Sequence, residues 1–177
     1  MSSLMYISSN YPLEEIKNPH YKTLSANEAL SLGMNIPEFM LEPGYDRDIP
    51  DVLLWSDTEI LIDTASGTTD DGGLDDDFAI PKLNDTTDIY TVKKHHVYLE
   101  WICTEGRAEK VIEYVKNQLE HTDEIEIWHI WMGNEARSCI ERRRLSMDDF
   151  TPAELMHLAD LNVFSEPITQ HCLIIRR

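Results

Sequence analysis

Val97-Tyr98-Leu99-Glu100-Trp101-Ile102-Cys103 is followed by a Thr104-Glu105-Gly106 break and then by Arg107 to Leu119, and the apolar period changes between the two halves. In the first half Val97, Leu99, Trp101 and Cys103 alternate with Tyr98, Glu100 and Ile102, the period of two that a strand requires. In the second half Ala108, Val111, Ile112, Val115 and Leu119 recur at the spacing that lines one stripe of a helix. A strand leading into a helix is therefore the unit from which the fold is read.

Working toward the C-terminus, Ile125, Ile127 and Trp131 alternate with Glu124 and Glu126, giving a second strand that ends at Met132-Gly133-Asn134. Residues Ser138 to Met147 form a third, weakened by three consecutive arginines. Thr151-Pro152-Ala153-Glu154 then carries an N-cap hydroxyl, a proline at the first helical position and a glutamate at the third, the pattern of a capping box. Leu155, Leu158 and Ala159 supply that helix's inward stripe, and Cys172-Leu173-Ile174-Ile175 is a short apolar strand. The order β-α-β-β-α-β is that of a ferredoxin-like sandwich, in the α+β class. Right-handed crossovers would place its first strand centrally, between the third and the fourth.

Toward the N-terminus, Tyr6 to Ser9 reads as a strand, and Ser25-Ala26-Asn27-Glu28 as a capping box opening a short helix that Gly33 ends. Pro37 to Leu41 suggests one more helical turn. Val52–Trp55 and 59–63 read as a hairpin, 64–77 as an acidic loop, and Phe78 to Leu83 as a return strand. The last C-terminal strand is apolar on both faces, and Trp128 and Ile130 make the second strand so too. Such strands need cover on both sides, so N-terminal strands and short helices are expected to cover or extend the sheet. The chain is read as one composite domain, 1–177, with 1–94 an N-terminal elaboration and 95–177 the ferredoxin-like core.

Charge bounds the function. A net charge of −18 over 177 residues disfavours nucleic acid and anionic membrane, since both demand a basic surface. No apolar run approaches a membrane span, and Met1 to Ser9 has neither the basic nor the apolar region of a signal peptide. Three widely spaced cysteines, Cys103, Cys139 and Cys172, suit a reducing cytoplasm better than a disulfide framework.

Candidate chemistry is sparse. Asp70, Asp71, Asp75, Asp76 and Asp77 form an acidic segment suited to a basic partner; as a cation loop it lacks the alternate-ligand spacing and terminal glutamate of an EF-hand. Arg142 and Arg144 share one strand face and could hold an anion. His95 and His96 point to opposite faces of a strand, and His129 lies in phase with Ile125 and Ile127, as a core or rim histidine does. No nucleotide-binding glycine loop, nucleophile elbow, zinc-helix or RNA-recognition signature is present. These features lead to the expectation of a non-enzymatic acidic protein of the cytoplasm, without a cofactor, that binds a macromolecular partner, neutralisation of a basic protein being one form this could take. The alternatives are a metal- or small-molecule-binding domain using the Asp-rich loop and nearby histidines, and a homodimeric structural or regulatory module.

Overall fold

In the computed structural model, which describes residues 3–55, 61–62, 69–70, 74–83, 90–131, 139–161 and 169–177, the chain divides into two compact units. One comprises Met1–Lys17 with Gly73–Arg177, the other Asn18–Gly72.

The larger unit is organised around β1 (Ser3–Ser9). Met5 and Ile7 are buried on one side of this strand and Tyr6 on the other, as an interior strand requires. The smaller unit begins with β2 (Tyr21–Ser25), which runs into helix α1 (Ala26–Ser31). Its capping box is formed in both directions: the Ser25 amide donates to Glu28 Oε2 at 2.8 Å, and the Glu28 amide to Ser25 Oγ at 3.2 Å. Gly33, at φ 75°, turns the chain out of the helix in a conformation that side chains disfavour. A 3₁₀ turn (Glu38–Leu41) and β3 (Pro50–Trp55) complete a small core of Leu24, Ala26, Ala29, Met40 and Val52. Residues 56–60 and 63 of the expected hairpin of Val52–Trp55 with 59–63 lie outside the described residues, and the described parts pair elsewhere. β3 pairs antiparallel with β2, whereas β4 (Leu61–Ile62) pairs with β5 (Thr69–Asp70).

Back in the larger unit, β6 (Phe78–Ala79) pairs with β8 (Glu100–Trp101), and β7 (His95–Tyr98) pairs antiparallel with β1. The predicted strand from Val97 to Cys103 is thus divided at Leu99, whose amide still donates to the Met5 carbonyl at 3.0 Å. Helix α2 (Glu105–Gln118) follows; Thr104 caps it by accepting from the Arg107 amide at 3.3 Å. The rest of the unit is β9 (Glu124–Trp131), β10 (Cys139–Ser146), helix α3 (Pro152–Ala159) and β11 (Thr169–Arg176).

The protein is α+β, with a mixed five-stranded sheet in the order β10-β11-β9-β1-β7 and three α-helices among the described residues. The predicted succession of elements is present, but the strand order differs from that of a ferredoxin-like sandwich. The strand preceding α2 was expected centrally; β7 lies at the edge instead, β9 is the middle strand, and β1 is inserted between β9 and β7. The side chains account for this. Interior β1 is apolar on both faces, while β7 offers His96 and Tyr98 on its second face, which an edge tolerates. The third and fourth strands were expected at opposite sides of the sheet, but β10 and β11 are parallel neighbours. Two crossovers result: β7-α2-β9 spans the intervening β1, and β10-α3-β11 joins adjacent strands.

The two faces are distinct. Met5, Ile7, Val97, Ile125, Ile127 and Leu173 meet α2 and α3 in the main core. On the opposite face Tyr6, Tyr90, Trp128, Ile130, Cys172 and Ile174 form a second apolar cluster. N-terminal sequence therefore extends the sheet, through β1, as the two-sided apolarity of β9 and β11 implied.

Candidate functional site

A cation at the base of α2 shapes the acidic segment. Arg107 is 0% exposed although it belongs to an outwardly charged helix. It stands in phase with Val111, Tyr114 and Val115, so its position in the fold points it inward. Its Nε donates to the Leu74 carbonyl at 2.9 Å, its NH1 to the Ile102 carbonyl at 3.1 Å, and its NH2 to Asp77 Oδ2 at 3.2 Å. The guanidinium thereby ties the 74–77 turn to the start of α2. Asp77 is a structural partner, half-buried, and Asp75 and Asp76 are turned outward. Asp75 lies against Gly106, where a Cβ would come within 1.8 Å of its Oδ1, so the absent side chain makes room for the carboxylate. A carboxylate at this end of a helix is favoured by the unsatisfied amides of the first turn.

From there an acidic stripe continues along α2. Glu105, Glu109 and Glu113 are exposed at four-residue spacing, and Glu120 follows just past the helix end. Like charges at this spacing cost a helix about 0.2–0.5 kcal/mol per pair. Only the Lys110–Glu113 pair, at 3.5 Å, offsets the repulsion along the exposed face among the described residues. The candidate carboxylates do not all join this surface: Asp70 lies on β5 in the other unit, and Asp71 lies outside the described residues.

Arg142 and Arg144 do share a face, as expected, and that face is the one opposite the helices. In register across the sheet run Arg142, Cys172, Trp128, Tyr6 and Tyr98, and beside them Arg144, Ile174, Glu126, Ser8 and His96. Arg142 is engaged internally: its Cζ lies 5.1 Å from the Trp128 ring centroid and its NH2 donates to the Tyr90 carbonyl at 3.1 Å. Glu126, 8% exposed, accepts from Thr91 Oγ1 at 2.6 Å and Trp128 Nε1 at 2.8 Å, both through Oε2. The sequence marks Glu126 only as the polar half of an alternating strand; its burial follows from cover on this face. Because β10 and β11 are neighbours, the basic run and Arg176 are closer than the expected topology allowed, but Arg176 is bound to Glu124 Oε2 at 2.6 Å.

On the helical face, a cleft of about 200 Å³ opens between α3 and the β10–β11 pair. The ionisable residues that line it are Glu141, Arg143, Glu154, His157, His171 and Cys172. Glu154 pairs with Arg143 here instead of closing the predicted capping box, and Thr151 makes no side-chain cap bond. His171 Nδ1 stands 3.6 Å from Glu141 Oε2, beyond direct hydrogen-bond reach. Its register partner on β9 is His129, 2% exposed, whose Nδ1 finds no hydrogen-bond partner. Among these described groups the hydrogen-bonded charged pair is Arg143 with Glu154.

The imidazoles instead predict an acid-labile core. Burial lowers the pKa of His129 below its ordinary value; the Leu158 carbonyl opposes that effect and His171 adds to it. Burial also lowers His171, with Glu141 opposing and His157 reinforcing. Unfolded histidines take up protons near pH 6.5, before these folded ones do. Stability is therefore expected to fall as pH drops through 6.5 and to level off below the folded values. Urea midpoints between pH 7.5 and about 5 read this directly, and the slope is expected to flatten in His129→Gln/His171→Gln. An equally steep slope in that variant would refute the assignment. Glu124, held low chiefly by its hydrogen bond from Lys93, contributes stability separately, present above the usual carboxylate range and lost as pH falls below it.

The remaining candidates are dispersed. His96 Nδ1 is 3.2 Å from Ser8 Oγ, Cys139 is exposed, and Cys172 is buried with its thiol raised by desolvation. Burial likewise pushes the Cys103 thiol up to about 11, away from thiolate chemistry. Among the described residues no group of three or more His, Cys, Asp or Glu is arranged to hold a metal ion, and no helix is long and apolar enough to cross a membrane. No protein-family model, curated protein or solved structure matches the chain.

Proposed function

We propose that this protein is a non-enzymatic cytoplasmic binder of a basic protein, which it engages and neutralises through an acidic surface on α2. The observation that carries the reading is the exposed run of Asp75, Asp76, Glu105, Glu109 and Glu113 along one helix and its approach. Lys110 and the amides of the first turn offset the repulsion within that run only in part, and a cationic partner would relieve the rest. The net charge of −18 supports rapid, salt-sensitive capture of such a partner.

The test compares two variants of equal charge. Glu105→Gln/Glu109→Gln/Glu113→Gln alters the helix stripe; Glu38→Gln/Glu42→Gln/Asp148→Asn removes three exposed carboxylates elsewhere. Pull-down at low and physiological salt, followed by titration of the retained protein, is expected to show the stripe variant weakened by roughly tenfold and the control nearly unchanged. Equal weakening would mean that net charge alone governs binding. Failure to retain a basic protein at either salt would end the proposal.

A further inference from the structure

Among the described residues β10 has a hydrogen-bonding neighbour on one side only. It pairs in parallel with β11, from Cys139–Thr169 to Ser146–Arg176, and forms one edge of the sheet. An open edge of eight residues presents a row of peptide N–H and C=O groups that another strand can complete. This edge is basic in an acidic chain: Arg142, Arg143 and Arg144 stand against Glu141 alone.

The charges decide what can be added. A second copy joined edge to edge about a two-fold axis pairs antiparallel, with the axis normal to the sheet. Residues of the same face then meet, and one residue lies opposite itself. Every such register that pairs five or more residues of Cys139–Ser146 centres on Glu141, Arg142, Arg143 or Arg144. Each therefore sets a charge against its own copy, and the register centred on Arg143 also opposes Arg142 to Arg144. The register centred on Arg142 also sets Glu141 opposite Arg143 twice, which offsets its repulsion. In the other three the like charges directly opposite are uncompensated and destabilise the strand pair, so self-pairing is disfavoured in every register but that one.

An acidic strand meets the opposite conditions. Arg142 and Arg144 project from one face, two residues apart, and a strand laid outside them places two alternate side chains directly opposite. Arg144 is exposed and makes no hydrogen bond or ion pair among the described residues. Arg142 is exposed as well and donates only one of its five N–H groups to Tyr90. Ile140, 40% exposed on the same face, would meet an apolar residue two positions further on. The geometry points to β10 as a docking edge for an extended acidic peptide of a partner protein, added as a further strand with carboxylates at alternate positions facing Arg142 and Arg144. This surface is separate from the α2 stripe and takes a ligand of opposite charge.

Three probe peptides test it in physiological salt, where the repulsion from the rest of the chain is screened beyond about 8 Å. These are an alternating Val–Glu peptide, an alternating Val–Lys peptide, and a Pro–Glu peptide that has the charge but cannot pair as a strand. Fluorescence anisotropy is expected to show saturable binding of Val–Glu alone, with hydrogen exchange slowed at Cys139–Ser146. Arg144→Glu, at an exposed position, should weaken it at least tenfold, whereas Lys110→Glu on α2 leaves it unchanged. Several results overturn the proposal: no binding of Val–Glu, equal binding of Pro–Glu, an Arg144→Glu variant that binds normally, or protection elsewhere. Sedimentation showing a dimer whose β10 amides are protected without peptide would assign the edge to a second copy instead.

Discussion

Replacing Arg107 with alanine is expected to destabilise the larger unit by about 3–5 kcal/mol, a large part of the roughly 5–15 kcal/mol that holds a typical domain together. The side chain is wholly buried and its three donating nitrogens serve three separate acceptors. Its loss leaves the Leu74 and Ile102 carbonyls short of a donor, removes the cation beside Asp77, and opens a cavity at the start of α2. Two companion variants separate these causes. Arg107→Met refills the volume but restores no donor, so it should recover only a small part of the loss. Adding Asp77→Asn to Arg107→Met removes the carboxylate that has lost the guanidinium and should recover more. Denaturant midpoints by circular dichroism read all three variants. An Arg107→Met protein as stable as the wild type would show that the contacts contribute shape alone. The effect also reaches the acidic surface, because Asp75 lies on the turn that Arg107 holds in place.

Arg107 illustrates what the sequence does and does not disclose. Its phase with Val111 and Val115 is present in the sequence, but the apolar stripe reads from Ala108 onward and leaves the arginine out, because a charged residue is not counted in an apolar period. Its partners were not legible, since Leu74 and Asp77 lie some thirty residues away and come close only through the β6–β8 pairing. The same division holds throughout the fold. Strand and helix periods identified the elements from Val97 onward, because each period is set by residues a few positions apart. Strand order depends on which distant segments meet. A period of two records how far a strand is buried, not which strand is beside it. Hence the cover on both faces of β9 and β11 was foreseen, whereas the insertion of β1 between β7 and β9 was not. At Thr151-Pro152-Ala153-Glu154 the local pattern was read correctly as a helix start, yet Glu154 turned to Arg143, which the parallel β10–β11 pairing brings alongside. The adjacent aspartates posed the same difficulty: neighbours in sequence, Asp77 points inward to Arg107 and Asp75 and Asp76 point out.

Trp128→Ala is expected to have a comparable effect, about 3–5 kcal/mol, on the face of the sheet away from the helices. Trp128 is 0% exposed and stacks on Tyr6 at a centroid distance of 5.9 Å with an interplanar angle of 8°. Tyr90 tilts against it at 5.9 Å, and the Arg142 guanidinium covers it at 5.1 Å. Truncation therefore removes the common surface of three side chains from β1, β10 and the segment before β7. It also takes from Glu126 one of its two donors to Oε2, in a site where a carboxylate depends on its hydrogen bonds. Trp128→Phe keeps a six-membered ring in the stack and removes the fused pyrrole together with its N–H. It should cost at least about 1.5–3 kcal/mol, the usual worth of a hydrogen bond to a charged group, with the packing of the lost ring atoms in addition. Adding Glu126→Gln to Trp128→Phe should then cost less than the separate effects combined, because the two side chains share one bond. Strict additivity would show that the indole donor does not stabilise Glu126, and the polar part of this face would need another explanation. The Arg142 contact gives a further readout. With the indole gone, Arg142 loses the ring beneath it, so binding of the alternating Val–Glu peptide at the β10 edge should weaken in Trp128→Ala even where the protein remains folded.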